Sequence, residues 1–127
     1  HDEANAALAK YKLSSPDPAA IPVPFGSTRN GTVNGEAAGA LVLATEVYTE
    51  SRRLSRLAHL LGASFGHARF SKIGAFNPDD QQAVIRRALG GAGVAPGAVD
   101  YIETNGLSTR VGDLFEYQAL AGVYGGR

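Results

Sequence analysis

The sequence predicts an α/β fold in which strands and helices alternate along the chain. Residues 36–45 and 57–65 are nearly continuous apolar runs, which is typical of strands buried on both faces. A strong helix start follows at Asn77-Pro78. Residues 99–124 then read as an apolar lead-in, a Gly/Ser/Thr turn and an amphipathic segment. This order of strand, helix, strand and helix favours a layered α/β architecture.

The composition indicates a globular protein without a strong electrostatic field. The chain has 127 residues, of which 44% are apolar and 19% charged, so we expect one domain or part of a larger one. Twelve basic and twelve acidic residues cancel, which argues against nucleic acid or an anionic membrane as a partner. No apolar run approaches the roughly 20 residues of a membrane span. The N-terminus lacks a signal-peptide pattern, and we expect a cytoplasmic location.

The absence of cysteine limits the chemistry that this chain can carry. It excludes a disulfide framework, a thiolate zinc site and a cysteine nucleophile within these residues. The three histidines have no i, i+4 pair, so we predict no metal site. No Walker or G-x-G-x-x-G motif occurs, and no cofactor is expected. Methionine is also absent, so we expect a piece of a longer protein.

Residues 1–35 are predicted to be a Pro/Gly-rich, extended lead-in, and residues 36–127 an α/β core. Prolines at positions 16, 18, 22 and 24 fix the backbone φ angle, and Asn-Gly pairs at 30–31 and 34–35 favour turns. The first two predicted strands are Glu36–Thr45, with small residues at its start, and Leu57–Phe65.

The second half of the chain carries the clearest helix signals. Asn77 as N-cap, Pro78 at the first position and two acidic residues predict a helix over Pro78–Leu89, which the glycines at 90, 91 and 93 end. A third strand is predicted at Val99–Thr104. Asp113 and Glu116 form a D-x-x-E capping pattern for a last helix, Leu114–Tyr124.

Gly62-Ala63-Ser64-Phe65-Gly66 matches the G-x-S-x-G nucleophile elbow of α/β hydrolases. That elbow requires a helix directly after the serine and a histidine far downstream. The residues that follow have no helical period, and the only later histidine is His67. We therefore reject a hydrolase.

Three segments carry a family resemblance. Residues 24–43, 72–89 and 101–120 read PFGSTRNGTVNGEAAGALVL, KIGAFNPDDQQAVIRRAL and YIETNGLSTRVGDLFEYQAL. They resemble PFD-x-x-x-DGFV-x-GEGAGVLVL, K-x-G-x-TAP…Q-x-x-VIR-x-AL and V-E-A-H-G-T-G-T-x-L-G-D-P-x-E-x-Q-A-L. These are segments of the β-ketoacyl synthase family, especially the ketosynthase domains of modular polyketide synthases.

The resemblance implies a thiolase-like layered fold made of two similar halves, of which this chain would span the end of the first and the start of the second. The family extends acyl chains on acyl carrier protein by decarboxylative Claisen condensation. It uses a cysteine that takes the acyl group and two histidines. The cysteine segment and the second histidine segment have no counterpart in this chain.

The resemblance also implies the candidate site. Asn105 occupies the first histidine of H-G-T-G-T, and Thr32 stands where the family has a gating phenylalanine. By the same alignment, Thr32, Leu107 and Thr109 are the predicted substrate-binding residues. An asparagine amide can donate a hydrogen bond to a carbonyl, but it cannot titrate near neutrality as an imidazole does.

Two functions remain open at this point. The first is a ketosynthase-like segment without condensing activity of its own, with a scaffolding, acyl-binding or carrier-protein-binding role in polyketide biosynthesis. The alternative is one piece of a split β-ketoacyl synthase that is active when assembled. We expect acyl carrier protein or other polyketide synthase chains as partners, in a homodimer or with a complementing subunit.

Overall fold

The computed structural model describes residues 6, 9–10, 13–17, 19–70 and 76–125. The helices whose bounds lie within them are α1 (Glu46–Ser51), α2 (Pro78–Ala92) and α3 (Arg110–Tyr124), with a 3-10 turn at Pro96–Ala98. In the part of the chain that is described, no helix has the length and apolar character needed to cross a membrane.

Helix α2 begins as predicted and extends beyond the predicted end. The Asn77 side chain accepts hydrogen bonds from the backbone N–H groups of Asp79 and Asp80, at 2.9 and 3.2 Å. The helix continues to Ala92 instead of ending at Leu89. Glycine at positions 90 and 91 costs only about 1 kcal/mol each in a helix relative to alanine, so it weakens the helix without ending it. It ends where Gly93 adopts a φ of 66°, the left-handed conformation that glycine favours.

Helix α3 begins earlier than predicted, at Arg110 instead of Leu114. Thr109 occupies the N-cap position, and its side chain makes no capping hydrogen bond. The capping box predicted for Asp113 and Glu116 is therefore wrong. Both carboxylates lie inside the helix and accept hydrogen bonds from backbone groups of other segments.

Helices α2 and α3 pack against each other through small residues of α3. A Cβ atom at Gly122 would lie about 2.5 Å from the amide end of the Gln82 side chain, so a larger residue here would require that side chain to move. The Arg86 guanidinium also donates a hydrogen bond to the Gly122 carbonyl. Among the described residues, the buried apolar side chains are Ala119 and Val123, both in α3.

The three predicted strands are not formed within the described residues. Glu36–Thr45, Leu57–Phe65 and Val99–Thr104 contain no strand, and the described bridges are isolated pairs, Ser14 with Thr32 and Phe70 with Phe76. A strand needs a second strand with which it forms a ladder of backbone hydrogen bonds, and no such ladder is present in the described part of the chain. Their apolar sequences favour strands, but the local sequence cannot provide the partner.

Residues 36–65, which we call the apolar arm, are largely exposed. The arm consists of a first limb (36–45), helix α1, and a second limb (57–65). The second limb touches α2 at Gly62, where a Cβ atom would lie 2.9 Å from the Ala88 carbonyl oxygen and from Ala92 Cβ. Arg87 also donates hydrogen bonds to Ser64 Oγ at 3.3 Å and to the Phe65 carbonyl at 3.4 Å.

Two parts of the lead-in, residues 13–15 and 31–32, are hydrogen-bonded to each other. Ser15 donates a backbone hydrogen bond to Thr32, and Thr32 donates one to Leu13, each 2.8 Å long. Gly31 adopts a φ of 109°, and a Cβ atom there would lie 2.6 Å from backbone atoms of Ser14. This turn therefore requires glycine.

Candidate functional site

A cavity of about 150 Å³ opens where the lead-in meets the start of α3. Its wall combines aliphatic and aromatic side chains with a few polar groups. The lining residues are Leu13, Thr32, Phe70, Phe76, Gln81, Asn105, Leu107, Thr109, Gly112, Asp113 and Glu116.

Glu116 positions the backbone of the loop that carries Asn105. Its two carboxylate oxygens accept hydrogen bonds from the N–H groups of Asn105, at 2.7 Å, and Gly106, at 2.9 Å. Gly106 has a φ of 44°, which helps the chain to turn at this point. Hydrogen bonds to a charged acceptor are the stronger ones, so Glu116 fixes where the Asn105 side chain leaves the backbone.

Ser108 links the same loop to the lead-in. It is 1% exposed, and its φ of 62° places a non-glycine residue in the left-handed region. Its hydroxyl accepts a hydrogen bond from the Val23 N–H at 3.1 Å, and its carbonyl accepts one from the Gly31 N–H at 2.8 Å. These contacts offset the cost of the unusual conformation.

Asp113 is the second carboxylate of α3 that holds the lead-in. Its side chain is 1% exposed, and Oδ2 accepts a hydrogen bond of 2.8 Å from the Phe25 N–H. Within the described residues, Oδ1 has no hydrogen-bond partner. Asp113 therefore depends on this one bond, which ties residue 25 to α3 near the cavity.

Phe70 and Phe76 form the aromatic wall of the cavity. Their rings meet edge to face, with centroids 5.2 Å apart at 70°. Beside them, Arg69 donates hydrogen bonds to Asp80 from its backbone N–H and from Nε, both at 2.9 Å, and from Nη2 at 3.1 Å. The hydrogen bond from the Arg69 side chain is the main cause that lowers the pKa of Asp80. The pair holds residue 69 at the start of α2.

Comparison with known proteins identifies the family. Residues 57–127, more than half of the chain, match the family described as beta-ketoacyl synthase, C-terminal domain. The chain belongs to the β-ketoacyl synthase family.

Relatives include both fatty-acid and polyketide synthases. The chain is 37% identical over 112 residues to 3-oxoacyl-[acyl-carrier-protein] synthase 2 of Mycobacterium tuberculosis, covering 87% of this chain and 27% of that protein. It is 42% identical over 105 residues to Erythronolide synthase EryA3 of Saccharopolyspora erythraea, covering 80% of this chain and 3% of that protein. The chain thus spans about a quarter or less of the length of these relatives.

A solved structure of a ketosynthase is also similar to this chain. The ishigamide ketosynthase/chain length factor superposes with a TM-score of 0.82 at 31% identity. The superposition covers 98% of this chain and 30% of that chain. The backbone of this chain therefore follows part of a ketosynthase fold.

The site residues predicted for a ketosynthase lie together. Asn105, Thr32, Leu107 and Thr109 all line the cavity, although Thr32 and Asn105 are far apart in sequence. Asn105 is exposed and Thr109 is 6% exposed. That these residues bind substrate stays a prediction. In the described part of the chain, no group of three or more His, Cys, Asp or Glu side chains could hold a metal ion.

Sequence reasoning missed the residues that hold the loop in place. Ser108 stands at the second glycine of the family's H-G-T-G-T motif, and its positive φ is what that glycine would provide. Asp113 and Glu116 were interpreted as helix caps. Their i, i+3 spacing places them on one face of α3, and this is the only signal that could have pointed to a shared role at the cavity.

Proposed function

We propose that this chain is a ketosynthase-like segment that binds an acyl group, free or on acyl carrier protein, and performs no condensation on its own. The observation that carries the proposal is the cavity that brings Asn105, Leu107, Thr32 and Thr109 together. Residues 1–127 are proposed to act as one domain, or part of one, in the cytoplasm.

The size and lining of the cavity suit a short acyl group. Its volume of about 150 Å³ equals that of an apolar cavity that holds benzene in another protein, roughly 150 Å³. Leu13, Phe70, Phe76 and Leu107 provide apolar contacts for the acyl chain. The few polar groups on the wall can fix its orientation.

Asn105 supports binding without condensation. A carboxamide next to the cavity can donate a hydrogen bond to a thioester carbonyl, as the imidazole of a ketosynthase could. It has no acid or base function near neutral pH, so it cannot assist a decarboxylation by proton transfer. The chain also contains no cysteine that could accept the acyl group.

Titration with hexanoyl-pantetheine, followed by calorimetry, tests the acyl site. The Leu107→Trp variant fills the cavity, and we expect its affinity to fall at least tenfold. Leu114→Trp is the matched control, because Leu107 and Leu114 are 45% and 43% exposed and Leu114 does not line the cavity. Equal affinities for the two variants would contradict an acyl site here. Tight binding of hexanoyl-carrier protein alone would instead indicate a protein-docking role.

Incubation with acyl- and malonyl-carrier protein tests the absence of condensation. We expect the chain alone to form no condensed product, measured by mass spectrometry of the carrier protein. The variant Asn105→His should remain inactive, because a nucleophile is still missing. Product formed by either protein would contradict the proposal.

A second function is supported by the exposed apolar arm. The chain could be one piece of a split β-ketoacyl synthase whose cysteine lies on another polypeptide. The structure leaves Leu41 92% and Leu57 100% exposed, which fits a surface that is covered on assembly. Product formed only after a cysteine-bearing synthase polypeptide is added, and lost when that cysteine is changed to alanine, would favour this function.

A further inference from the structure

Two acidic side chains of α3 lie in the wall of the cavity. Asp113 and Glu116 are the charged residues among the described side chains that line it, and no lysine, arginine or histidine is among them. Asp113 is 1% exposed, and Glu116 is half-buried. The described wall therefore carries negative charge that no positive charge in the same wall balances.

Within the described residues, neither carboxylate is paired with a cation. The ion pairs in that part of the chain join Arg56 to acidic residues of α1 and Arg69 to Asp80. Asp113 and Glu116 instead accept hydrogen bonds from backbone N–H groups. A backbone N–H contributes a dipole without a formal charge, so the negative charge of both side chains remains.

The burial of Asp113 makes its charge effective against a bound ion. Water and salt strongly screen charges at the surface, but they screen buried charges much less. The Asp113 side chain lines the cavity, and its Oδ1 has no hydrogen-bond partner among the described residues. An anionic group that enters the cavity therefore loses hydration and meets like charge.

The remaining lining residues do not compensate an anionic ligand. Leu107, Phe70 and Phe76 have no hydrogen-bond donor in their side chains. The amide groups of Gln81 and Asn105 can donate a hydrogen bond to a carboxylate or to a neutral carboxamide alike. The two carboxylates of α3 are thus the groups in the described wall that distinguish the charge of a ligand.

We propose that Asp113 and Glu116 make the acyl site selective by charge, so that it accepts a neutral acyl group and excludes one that ends in a carboxylate. The excluded class contains malonyl and other dicarboxylic acyl groups. This inference rests on the acyl-binding function proposed above, and it adds the substrate class. It also gives a second reason, besides the absence of cysteine from the sequence, why this cavity does not serve a condensation.

Two thioesters that differ in charge but hardly in size test this selection. Adipoyl-pantetheine ends in a carboxylate, and adipamoyl-pantetheine ends in a carboxamide of nearly the same shape. We expect the chain to bind the adipamoyl thioester at least tenfold more tightly, measured by calorimetry at neutral pH. Equal affinities, or tighter binding of the adipoyl thioester, would overturn the proposal.

Charge-removing variants separate repulsion from dehydration. A carboxylate costs more to dehydrate than a carboxamide, so it binds less well to any apolar cavity. Glu116→Gln and Asp113→Asn each remove one charge and keep a side-chain oxygen as hydrogen-bond acceptor. We expect each variant to reduce the adipamoyl-to-adipoyl affinity ratio at least threefold. Because the ratio is measured within one protein, a shift of the loop that affects both ligands cancels.

Glu50→Gln is the matched control, because it removes the same charge from α1 at a residue that does not line the cavity. Its affinity ratio should equal that of the wild type. A ratio that stays unchanged in both cavity variants would overturn the proposal in favour of dehydration alone. An equal reduction in Glu50→Gln would overturn it in favour of the overall charge of the chain.

Hexanoyl-pantetheine distinguishes this proposal from the function on which it rests. Binding of the hexanoyl and adipamoyl thioesters with exclusion of the adipoyl thioester supports both. Similar binding of all three would reject the charge selection and leave the acyl site standing. Binding of the hexanoyl thioester alone would also reject it, because the site would then select against polarity. If none of the three binds, both proposals are overturned.

Discussion

The lead-in and the apolar arm are neighbours in sequence, but the lead-in is hydrogen-bonded to α3 and its preceding loop, whereas most of the arm is exposed to solvent. The lead-in is polar and rich in turns, yet Val23, Phe25 and Gly31 each donate a backbone hydrogen bond to the loop at 105–109 or to α3. The arm is apolar, yet Leu41 and Leu57 are almost fully exposed. In this chain, specific polar contacts hold the segment that was predicted to be an extended lead-in.

The difference shows how each segment obtains its stability. Backbone N–H groups of the lead-in donate hydrogen bonds to the Ser108 hydroxyl and to the Asp113 carboxylate of α3. Such bonds contribute about 0.5–1.5 kcal/mol each, and more when the acceptor is charged. The arm makes few such bonds, and its exposed side chains gain stability when apolar surface is removed from water. The following substitutions test this contrast.

The largest effect is expected for Gly31→Ala in the lead-in. Its φ of 109° is unfavourable for any side chain, and the new Cβ would lie 2.6 Å from backbone atoms of Ser14 and Ser15. We expect the free energy of unfolding to fall by about 3 kcal/mol. Urea denaturation followed by circular dichroism measures it.

Gly35→Ala is the matched control for this substitution. A Cβ atom at Gly35 has no neighbour within 4 Å. We expect a change within about 0.5 kcal/mol. A comparable loss of stability in both variants would show that the Gly31 turn does not hold the lead-in.

The next effect concerns the carboxylate that binds the lead-in to α3. Asp113→Ala removes the charged acceptor of the part-buried hydrogen bond from the Phe25 N–H, and we expect a loss of about 2 kcal/mol. Asp113→Asn keeps a side-chain oxygen as acceptor and should lose less than half of that. Amide hydrogen exchange at Phe25 is the specific measurement. Slow exchange at Phe25 in Asp113→Ala would show that another group holds this segment.

A pair of apolar truncations compares the two regions directly. Val123→Ala in α3 removes methyl groups from a side chain that is 7% exposed, and we expect a cost of about 1–2 kcal/mol. Leu41→Ala removes more carbon from the arm, but at 92% exposure it should cost less than about 0.5 kcal/mol. Thermal unfolding of the chain without a partner distinguishes the two. A larger loss for Leu41→Ala would mean that the arm is buried in solution.

The features that the sequence predicted correctly depend on short-range signals. Asn77 and Pro78 define the start of α2 within a few residues, so no distant contact is needed. The start of α3 was misplaced because Asp113 and Glu116 serve backbone groups at positions 25, 105 and 106. A local capping rule cannot show such partners.

The predicted strands and the site both show that local sequence does not reveal which distant segment will lie beside a residue. The predicted strands at 36–45 and 57–65 have the right composition, but composition does not provide the neighbour that a strand requires. The grouping of Thr32 with Asn105 was predicted only through family resemblance. The positive φ of Ser108 was not predictable, because serine in a sequence gives no sign of a left-handed conformation.

The smallest effect on stability is expected for the ion pair of Arg69 and Asp80, which lies between the arm and α2. Arg69 lowers the pKa of Asp80, chiefly through its side-chain hydrogen bond. The pair therefore contributes stability that is fully present above the unfolded pKa of aspartate, about 3.9, and is lost as the pH falls through the lower folded value. We expect the difference in unfolding free energy between the wild type and Asp80→Asn to shrink below about pH 4.

Asp79→Asn is the matched control, because it removes a charge from the same first turn of α2 without removing a hydrogen bond to Arg69. Urea denaturation at several pH values between 7 and 2 measures both variants. Because Arg69 is largely exposed, solvent screening keeps the contribution of the pair small, and 1 M salt should reduce it further. An identical pH dependence in the two variants would show that residue 69 is held only by its backbone, through the bond from the Asn77 N–H to the Arg69 carbonyl.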